Sequence, residues 1–483
     1  MKYFSPLLLL AASAGTCCGA FATTNGLDAS FGSNGIALLG PTPTSGVSMR
    51  RIRALKVLDD GRILVGGEVW GPSDLAASPA IGRLNAEGSW DTTFADNGLF
   101  VLPYGTGAAP YGGRIEHVGA FSDGSALASG GIFQFGGYFY SCTLLVKLTA
   151  TGALDTGFAP DKNGAYCFDF APPPADTIWF NHWADVKIDS DDSFLIASPF
   201  TNLYQLRSAV AHLDATGTLI NTYATNGVAA LPENVATGFI EILPDHDALA
   251  VGLSGSVDDL GVGASRIDVD GNVDLTYGVN GVASTDLQGA VEVSPEYSAL
   301  DSQSRLLISS FSYLPGNGYS DYRIARLTSA GLVDTSFNGN NQQAGVPGVA
   351  TVTLSSNSDY DEILGAQPLG DGHILVVGQN AKVDASDGVF NISLLRLNDD
   401  AGWDQSFGAA AHPGWFSLNI GGQSTSDGRP FSMGVDTRNG NILVGISTSD
   451  SSGHGCVGLI RIVADRLFDG AFDAPPAMPI CPQ

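Results

Sequence analysis

Apolar residues along this chain come in short unbroken runs, and many of the runs are entered through a tight polar turn. Asp59-Asp60-Gly61 leads into Ile63-Leu64-Val65, and Asp123-Gly124 leads into Ala126-Leu127-Ala128. Asp371-Gly372 leads into Ile374-Leu375-Val376-Val377, and Asn439-Gly440 into Ile442-Leu443-Val444. Asp-Gly and Asn-Gly favour the tight hairpin turn because both residues tolerate a left-handed backbone. Runs that are apolar on successive residues predict strands covered on both faces. No stretch holds helical spacing, so the pattern predicts an all-β chain.

A second pattern follows each of these runs: a basic residue, an aliphatic one, a small turn, then Asp and an aromatic. It reads Arg83-Leu84 with Asp91 and Phe94, Lys147-Leu148 with Asp155 and Phe158, and His212-Leu213 with Ile220 and Tyr223. It continues with Arg266-Ile267, Asp274 and Tyr277, then Arg326-Leu327, Asp334 and Phe337. The last copies are Arg396-Leu397, Asp404 and Phe407, and Arg461-Ile462, Asp469 and Phe472. A shortened copy, Leu27-Asp28-Ala29-Ser30-Phe31, precedes them all. Successive marker aromatics are 63, 64, 65, 54, 60, 70 and 65 residues apart, a mean of 63. Such a period is the signature of a repeat architecture.

Each unit reads as four strands, near 53–58, 62–68, 80–85 and 99–103 in the first full copy. Seven such units predict a seven-bladed β-propeller of four-stranded blades, since radial closure leaves no long unpaired edge. An open solenoid is the alternative, but its turns are usually shorter than these units. The run Ile36–Leu39 is a fourth strand without a unit of its own, and it is expected to close the ring. The phrase R-L-x-x-x-G-x-L-D-x-x-F after D-G-x-I-L-V-x-G resembles the delta-60 repeat family of exported bacterial proteins. That resemblance covers nearly the whole chain after residue 22 and implies a propeller-like fold. It implies no shared activity.

The basic residue and the Asp are eight apart at 83/91, 147/155, 266/274, 326/334, 396/404 and 461/469. The one full copy without Arg or Lys, at His212, has Ile220 in place of the carboxylate. The joint loss predicts a charge-assisted pair across one turn of each blade, with Arg preferred for its planar fork. The rival reading is a ring of carboxylates that binds cations. Cysteines give a second register: Cys142 and Cys456 lie 16 residues before their marker aromatics, and Cys167 and Cys481 nine after. Of the three pairings open to four cysteines, this register selects Cys142–Cys167 and Cys456–Cys481. The second bridge is expected to pin the Pro-rich tail 475–483 beside the closing strand.

Residues 1–22 have the pattern of a secretory signal peptide, with Lys2 before an apolar run and an Ala20-Phe21-Ala22 exit. They leave a single domain, 23–483, in a compartment that permits disulfides. Cys17 follows Thr16 and lacks the flanking residues that lipidation needs. No later segment reaches the length of an apolar membrane span. Twenty-two basic against 49 acidic residues give a net charge of −27, spread along the chain. Such a surface repels nucleic acid and anionic lipid. The expected product is a secreted, periplasmic or cell-surface monomer.

Catalytic signatures are scarce: the chain has no G-x-S-x-G, H-E-x-x-H or P-loop motif, and its histidines form no ligand spacing. Asp268, Asp270, Asn272 and Asp274 alternate as calcium ligands do, yet they fall on an ordinary repeat turn, so no cofactor is expected. The loops between second and third strands, with the links between blades, carry Trp70, Phe135, Tyr138, Tyr140, Trp179, His182, Tyr313 and Tyr319. Long loops on a rigid scaffold are where binding resides, and exposed aromatics suit sugar rings or a protein partner. The expectation is a binding scaffold for a glycan or an extracellular protein. The alternatives are a polysaccharide lyase or hydrolase on the same face, and a passive envelope component.

Overall fold

The computed structural model of the chain describes residues 27–42, 48–70, 77–102, 111–134, 141–160, 163–168, 170, 184–202, 205–233, 235–256, 259–287, 292–313, 320–340, 343–354, 360–381, 390–409, 412–418, 430–449 and 455–463. Every regular element among them is a β-strand. Blade 1 comprises Met49–Val57, Ile63–Trp70, Ala77–Leu84 and Leu99–Val101, paired antiparallel in that order. Blade 2 is Tyr111–Ala120, Ala126–Gln134, Ser141–Leu148 and Ala165–Phe168, and blade 3 is Asp185–Ile188, Phe194–Asn202, Gln205–Leu213 and Val228–Ala230. Blade 4 runs through Val235–Ile242, Ala248–Ser256, Asp259–Ile267 and Ala283–Asp286. Blade 5 has Glu292–Leu300, Leu306–Tyr313, Ser320–Leu327 and Val349–Val352, with Ala344–Val346 added at its edge. Blade 6 has Tyr360–Pro368, Ile374–Ala381, Phe390–Leu397 and Trp415–Leu418.

Blade 7 is assembled from both ends of the chain. Pro430–Val435, Ile442–Ser449 and Gly455–Ile462 take Ile36–Leu39 as their fourth strand, with Ile36 opposite Ile460 and Leu39 opposite Val457. First strands touch the first strands of both neighbouring blades, and the series closes through Met49–Val57 and Pro430–Val435. The result is the seven-bladed propeller with an N-terminal closing strand that the repeat predicts.

The core lies between blades rather than inside any one of them. Leu64 and Ile81 of blade 1 pack with Ile115, Ala128 and Leu144 of blade 2 around Phe94. Leu249 and Val262 of blade 4 meet Val293, Ile308 and Ala325 of blade 5. This is why the second and third strands read as continuous apolar runs: both of their faces meet a neighbour. Burying each such side chain contributes about 1.5–3 kcal/mol.

The first strands break this regularity. Pairing to the second strand skips one residue at Arg53, Glu116, Gly238, Glu296, Leu364 and Phe431. A bulge of this kind bends the strand and re-aims its side chains, here beside the axis of the ring.

Candidate functional site

The repeated phrase forms a staple within each blade and between blades. Arg83 Nε donates to Asp91 Oδ2 at 2.7 Å, and Arg326 Nε to Asp334 Oδ2 at 2.7 Å. Arg396 bonds Asp404 in the same way, and Lys147 Nζ lies 3.3 Å from Asp155. The guanidiniums of Arg83, Arg326 and Arg396 also stack over the marker rings Phe94, Phe337 and Phe407. Each Asp turns the chain with its other oxygen, as Asp91 Oδ1 accepts from the Thr93 amide and hydroxyl. The cation then crosses to the next blade: Arg83 donates to the Ala150 carbonyl and Lys147 to that of Ala215. The residue after the marker aromatic makes a parallel backbone link, from Ala95 to Thr151, Ala159 to Thr216 and Gly278 to Ala330.

The glycine in the phrase belongs to the same joint. Gly217 has φ +80, and a Cβ there would sit 2.8 Å from the ring of Phe158 in the preceding blade. Only Gly meets both demands without strain.

Two copies depart from the spacing rule, and a third cation finds a carboxylate in the shortened first copy. His212 bonds Ser193 Oγ through Nε2 at 2.9 Å and meets Tyr223 edge-on, with Ile220 making only backbone bonds. Arg266 does not reach Asp274; it donates to Asp247 and Asp245 on its own blade's first hairpin. Arg461 donates to Asp28 of the shortened first copy, Nε to Oδ2 at 2.8 Å. Asp469 itself lies outside the described residues. The blades of His212 and Arg266 are also the ones whose marker is Tyr, and the hydroxyls of Tyr223 and Tyr277 are buried without a hydrogen-bond partner.

Cys142 and Cys167 form a disulfide between the third and fourth strands of blade 2. Cys456 is also disulfide-bonded, and Cys481 lies outside the described residues. At the acidic turn, Asp268 Oδ1 accepts from the amides of Asp270 and Asn272, and Asp274 accepts from Thr276. These carboxylates are engaged in turning the chain. Among the described residues no group of three or more His, Cys, Asp or Glu is placed to hold a metal ion, and no helix is long and apolar enough to cross a membrane.

Of the aromatic loop residues, Trp70 and Tyr313 close the second strands of blades 1 and 5. Phe135, Tyr138, Tyr140, Trp179, His182 and Tyr319 lie outside the described residues. Tyr322, close in sequence to Tyr319, is an interior strand residue, fully buried, with its hydroxyl donating to the Gln379 carbonyl.

A cluster that no motif announced lies on the first strands around the axis. His117 Nδ1 is 2.9 Å from Asp185 Oδ1, and Asp185 Oδ2 accepts from the Ile240 amide of the next blade. Lys187 Nζ stands 3.7 Å from Glu241 and 4.0 Å from Asp185, and Ser298 donates to Glu241 at 2.7 Å. Arg53 pairs with Glu68 at 2.7 Å and approaches Glu116 at 3.8 Å, while the Tyr297 hydroxyl donates to Gln367. Blades 1 to 6 are thus joined near the axis by polar groups. Burial opposes the charge on Asp185, yet His117 and Lys187 outweigh it and hold its carboxyl below the usual range. Burial pushes the Glu241 carboxyl up against the pull of Lys187, and it raises the Tyr297 phenol to about 12. Burial opposes the charge on Lys187, but Glu241 and Asp185 outweigh it and hold its ammonium above the usual range. These groups stand around the axis of the ring. Sequence reading missed these residues because they share no motif, and the bulge beside His117 appears only in the strand register.

No curated protein matches the chain. Among solved structures it is similar to a xyloglucanase from Xanthomonas campestris, at 15% identity and TM-score 0.37, covering 74% of this chain and 44% of that one. It is also similar to the polysaccharide lyase Uly1, at 9% identity and TM-score 0.40, covering 86% of this chain and 90% of that one. The chain spans less than half the length of the xyloglucanase. The family described as a domain of unknown function (DUF5122) beta-propeller matches residues 58–94 and 306–337, so in these two stretches, each ending on a marker Phe, the chain is similar to that repeat family.

Proposed function

We propose that this chain is an exported binding scaffold of the delta-60 repeat type, which holds a glycan or an extracellular protein on the face of its long loops. One observation carries the reading: described copies of the repeat spend their charged residues on joints between and within blades, at the face opposite those loops. The variable segments, with Trp70, Tyr138, Trp179 and Tyr313 among them, are then free to differ without loosening the ring. Glycan-array and pull-down binding with the intact protein tests this. Trp179→Ala and Tyr138→Ala should each weaken binding at least tenfold at unchanged melting temperature; unaltered binding in both variants refutes the loop face.

A second reading, an enzyme acting on polysaccharide, is favoured by the His117–Asp185 contact near the axis of the ring. A carboxylate on Nδ1 fixes the tautomer that leaves Nε2 able to take a proton. Turnover on a polysaccharide panel that disappears in His117→Ala would establish this reading over the first.

A further inference from the structure

The exposed large hydrophobic side chains among the described residues are Val269, Leu275, Val279 and Leu332. All four sit on the turns between the third and fourth strands of blades 4 and 5, at the face opposite the long loops. The two turns meet at one joint. The Gly278 amide donates to the Ala330 carbonyl at 2.9 Å, and a Cβ on Gly331 would lie 2.7 Å from the Gly278 nitrogen. Val279 and Leu332 follow these two glycines directly. Leu275 leans over the same turn, its Cδ2 3.4 Å from the place of a Cβ on Gly281. Leu275 and Val279 are 68% and 72% exposed, so the fold gains little from their being apolar.

The other blades show what these positions need. At the same distance from the basic residue, Leu275 is replaced by Thr92, Thr156, Asn221, Thr335 and Gln405. Val279 bridges to Val282 as Asp96 does to Leu99 and Thr225 to Val228, so its equivalents there are polar. Leu332 stands where those copies have Ser89, Ala153, Thr218 and Asn272. The same joint forms elsewhere with small or polar residues, so folding does not require the aliphatics.

Their surroundings are acidic. Asp268, Asp270 and Asp274 share the turns of blade 4, and Asp247 and the 57% exposed Asp245 stand on its first hairpin. Arg266 is already bonded to Asp245 and Asp247, and His246 Nδ1 is 2.9 Å from Asp189 of blade 3. The local balance is negative, as is that of the whole chain at −27. A second copy docked here would bring this rim against its own charge, and an anionic membrane is repelled for the same reason. Four aliphatic side chains also fall short of the about 800 Å² that a stable dimer buries on each partner.

We propose that this patch docks a short segment of another protein, with apolar side chains flanked by Lys or Arg. Leu275, Val279 and Leu332 cover the apolar side chains, and the carboxylates around them meet the cations. The surface lies away from the long loops and does not depend on the binding proposed there.

Fluorescence anisotropy with the full protein tests the proposal. The probe is a labelled synthetic peptide with leucines set between pairs of lysines, and its control carries serine in place of leucine. The leucine peptide should bind with a millimolar or tighter constant, and the serine peptide at least tenfold more weakly. Leu275→Thr combined with Val279→Thr keeps the charge and copies residues that other blades carry. It should weaken the leucine peptide at least tenfold at unchanged melting temperature. Equal binding of the two peptides, equal binding by the double variant, or no binding at all overturns the proposal. So does self-association in sedimentation, or binding to phosphatidylcholine vesicles, that the double variant abolishes, since the occupant would then be a second copy or a lipid surface.

Discussion

Arg461, on the third strand of the last blade, donates to a carboxylate 433 residues earlier in the chain: its Nε meets Asp28 Oδ2 at 2.8 Å. Every other feature of the staple is reproduced there. The Asp28 amide donates to the Arg461 carbonyl, Ser30 donates to Asp28 Oδ1, and the guanidinium stacks over Phe31. Arg461 then crosses to the Ala86 carbonyl of blade 1, while the Gly32 amide donates to Glu87. The shortened first copy is therefore the last blade's staple, and it locks blade 7 to blade 1.

The buried pairs should matter more than their spacing suggests. Arg326 is 1% exposed, and losing Asp334 leaves it only the half-exposed Asp399 carboxylate, 2.8 Å from its Nη1. Asp334→Ala should destabilise the fold by about 2 kcal/mol through the lost charge-assisted bond. Asp274→Ala should cost about 1 kcal/mol or less, because Arg266 already bonds Asp245 and Asp247 and only the turn bonds to Thr276 are lost. Comparing the two variants in chemical denaturation checks this, and equal losses would contradict it.

Tyr277 should be improvable. Its hydroxyl is buried without a partner, where other blades carry Phe. Tyr277→Phe removes an unsatisfied group at nearly constant shape and should stabilise by about 1 kcal/mol. A rise in melting temperature is the expected readout; a fall would mean that the hydroxyl is used.

Acid should unlock the staples. Burial opposes ionisation of Asp91, but the Thr93 hydroxyl and amide and Arg83 outweigh it and hold the group at about 2. Asp28, Asp334 and Asp404 are lowered for similar reasons. With the folded value below the unfolded one, the unfolded chain binds more protons in acid. The stabilisation is complete above about pH 4 to 5 and is lost as pH falls toward 2, about 2 kcal/mol for Asp91 alone. Melting temperature should therefore drop steeply across that window, and Asp91→Asn should flatten part of the slope.

The Cys142–Cys167 bridge closes a 25-residue separation and should contribute about 3 kcal/mol by restricting the unfolded chain. Replacing both cysteines with Ala should lower the melting temperature in non-reducing buffer and abolish its sensitivity to dithiothreitol at this bridge. An unchanged value would place the bridge outside the cooperative unit.

What was legible in the sequence was whatever the repeat makes local. The hairpins after Asp60-Gly61 and Asp371-Gly372, and the pairs 83/91, 326/334 and 396/404, each close within one unit, so spacing alone locates them. Arg461 and Asp28 escaped because circular closure joins the two ends, which no spacing within a unit encodes. Arg266 escaped because carboxylates at 245 and 247 compete for it through space. The axial residues Arg53, His117, Asp185 and Lys187 escaped for a third reason. First strands carry no common phrase, and a one-residue bulge decides which side chain faces the axis.

The most direct measurement compares Asp28→Ala with Asp469→Ala by thermal unfolding of the full protein. If the ring is locked by the N-terminal copy, Asp28→Ala lowers the melting temperature as much as Asp334→Ala does, and Asp469→Ala leaves it unchanged. A loss in Asp469→Ala with none in Asp28→Ala would contradict the account.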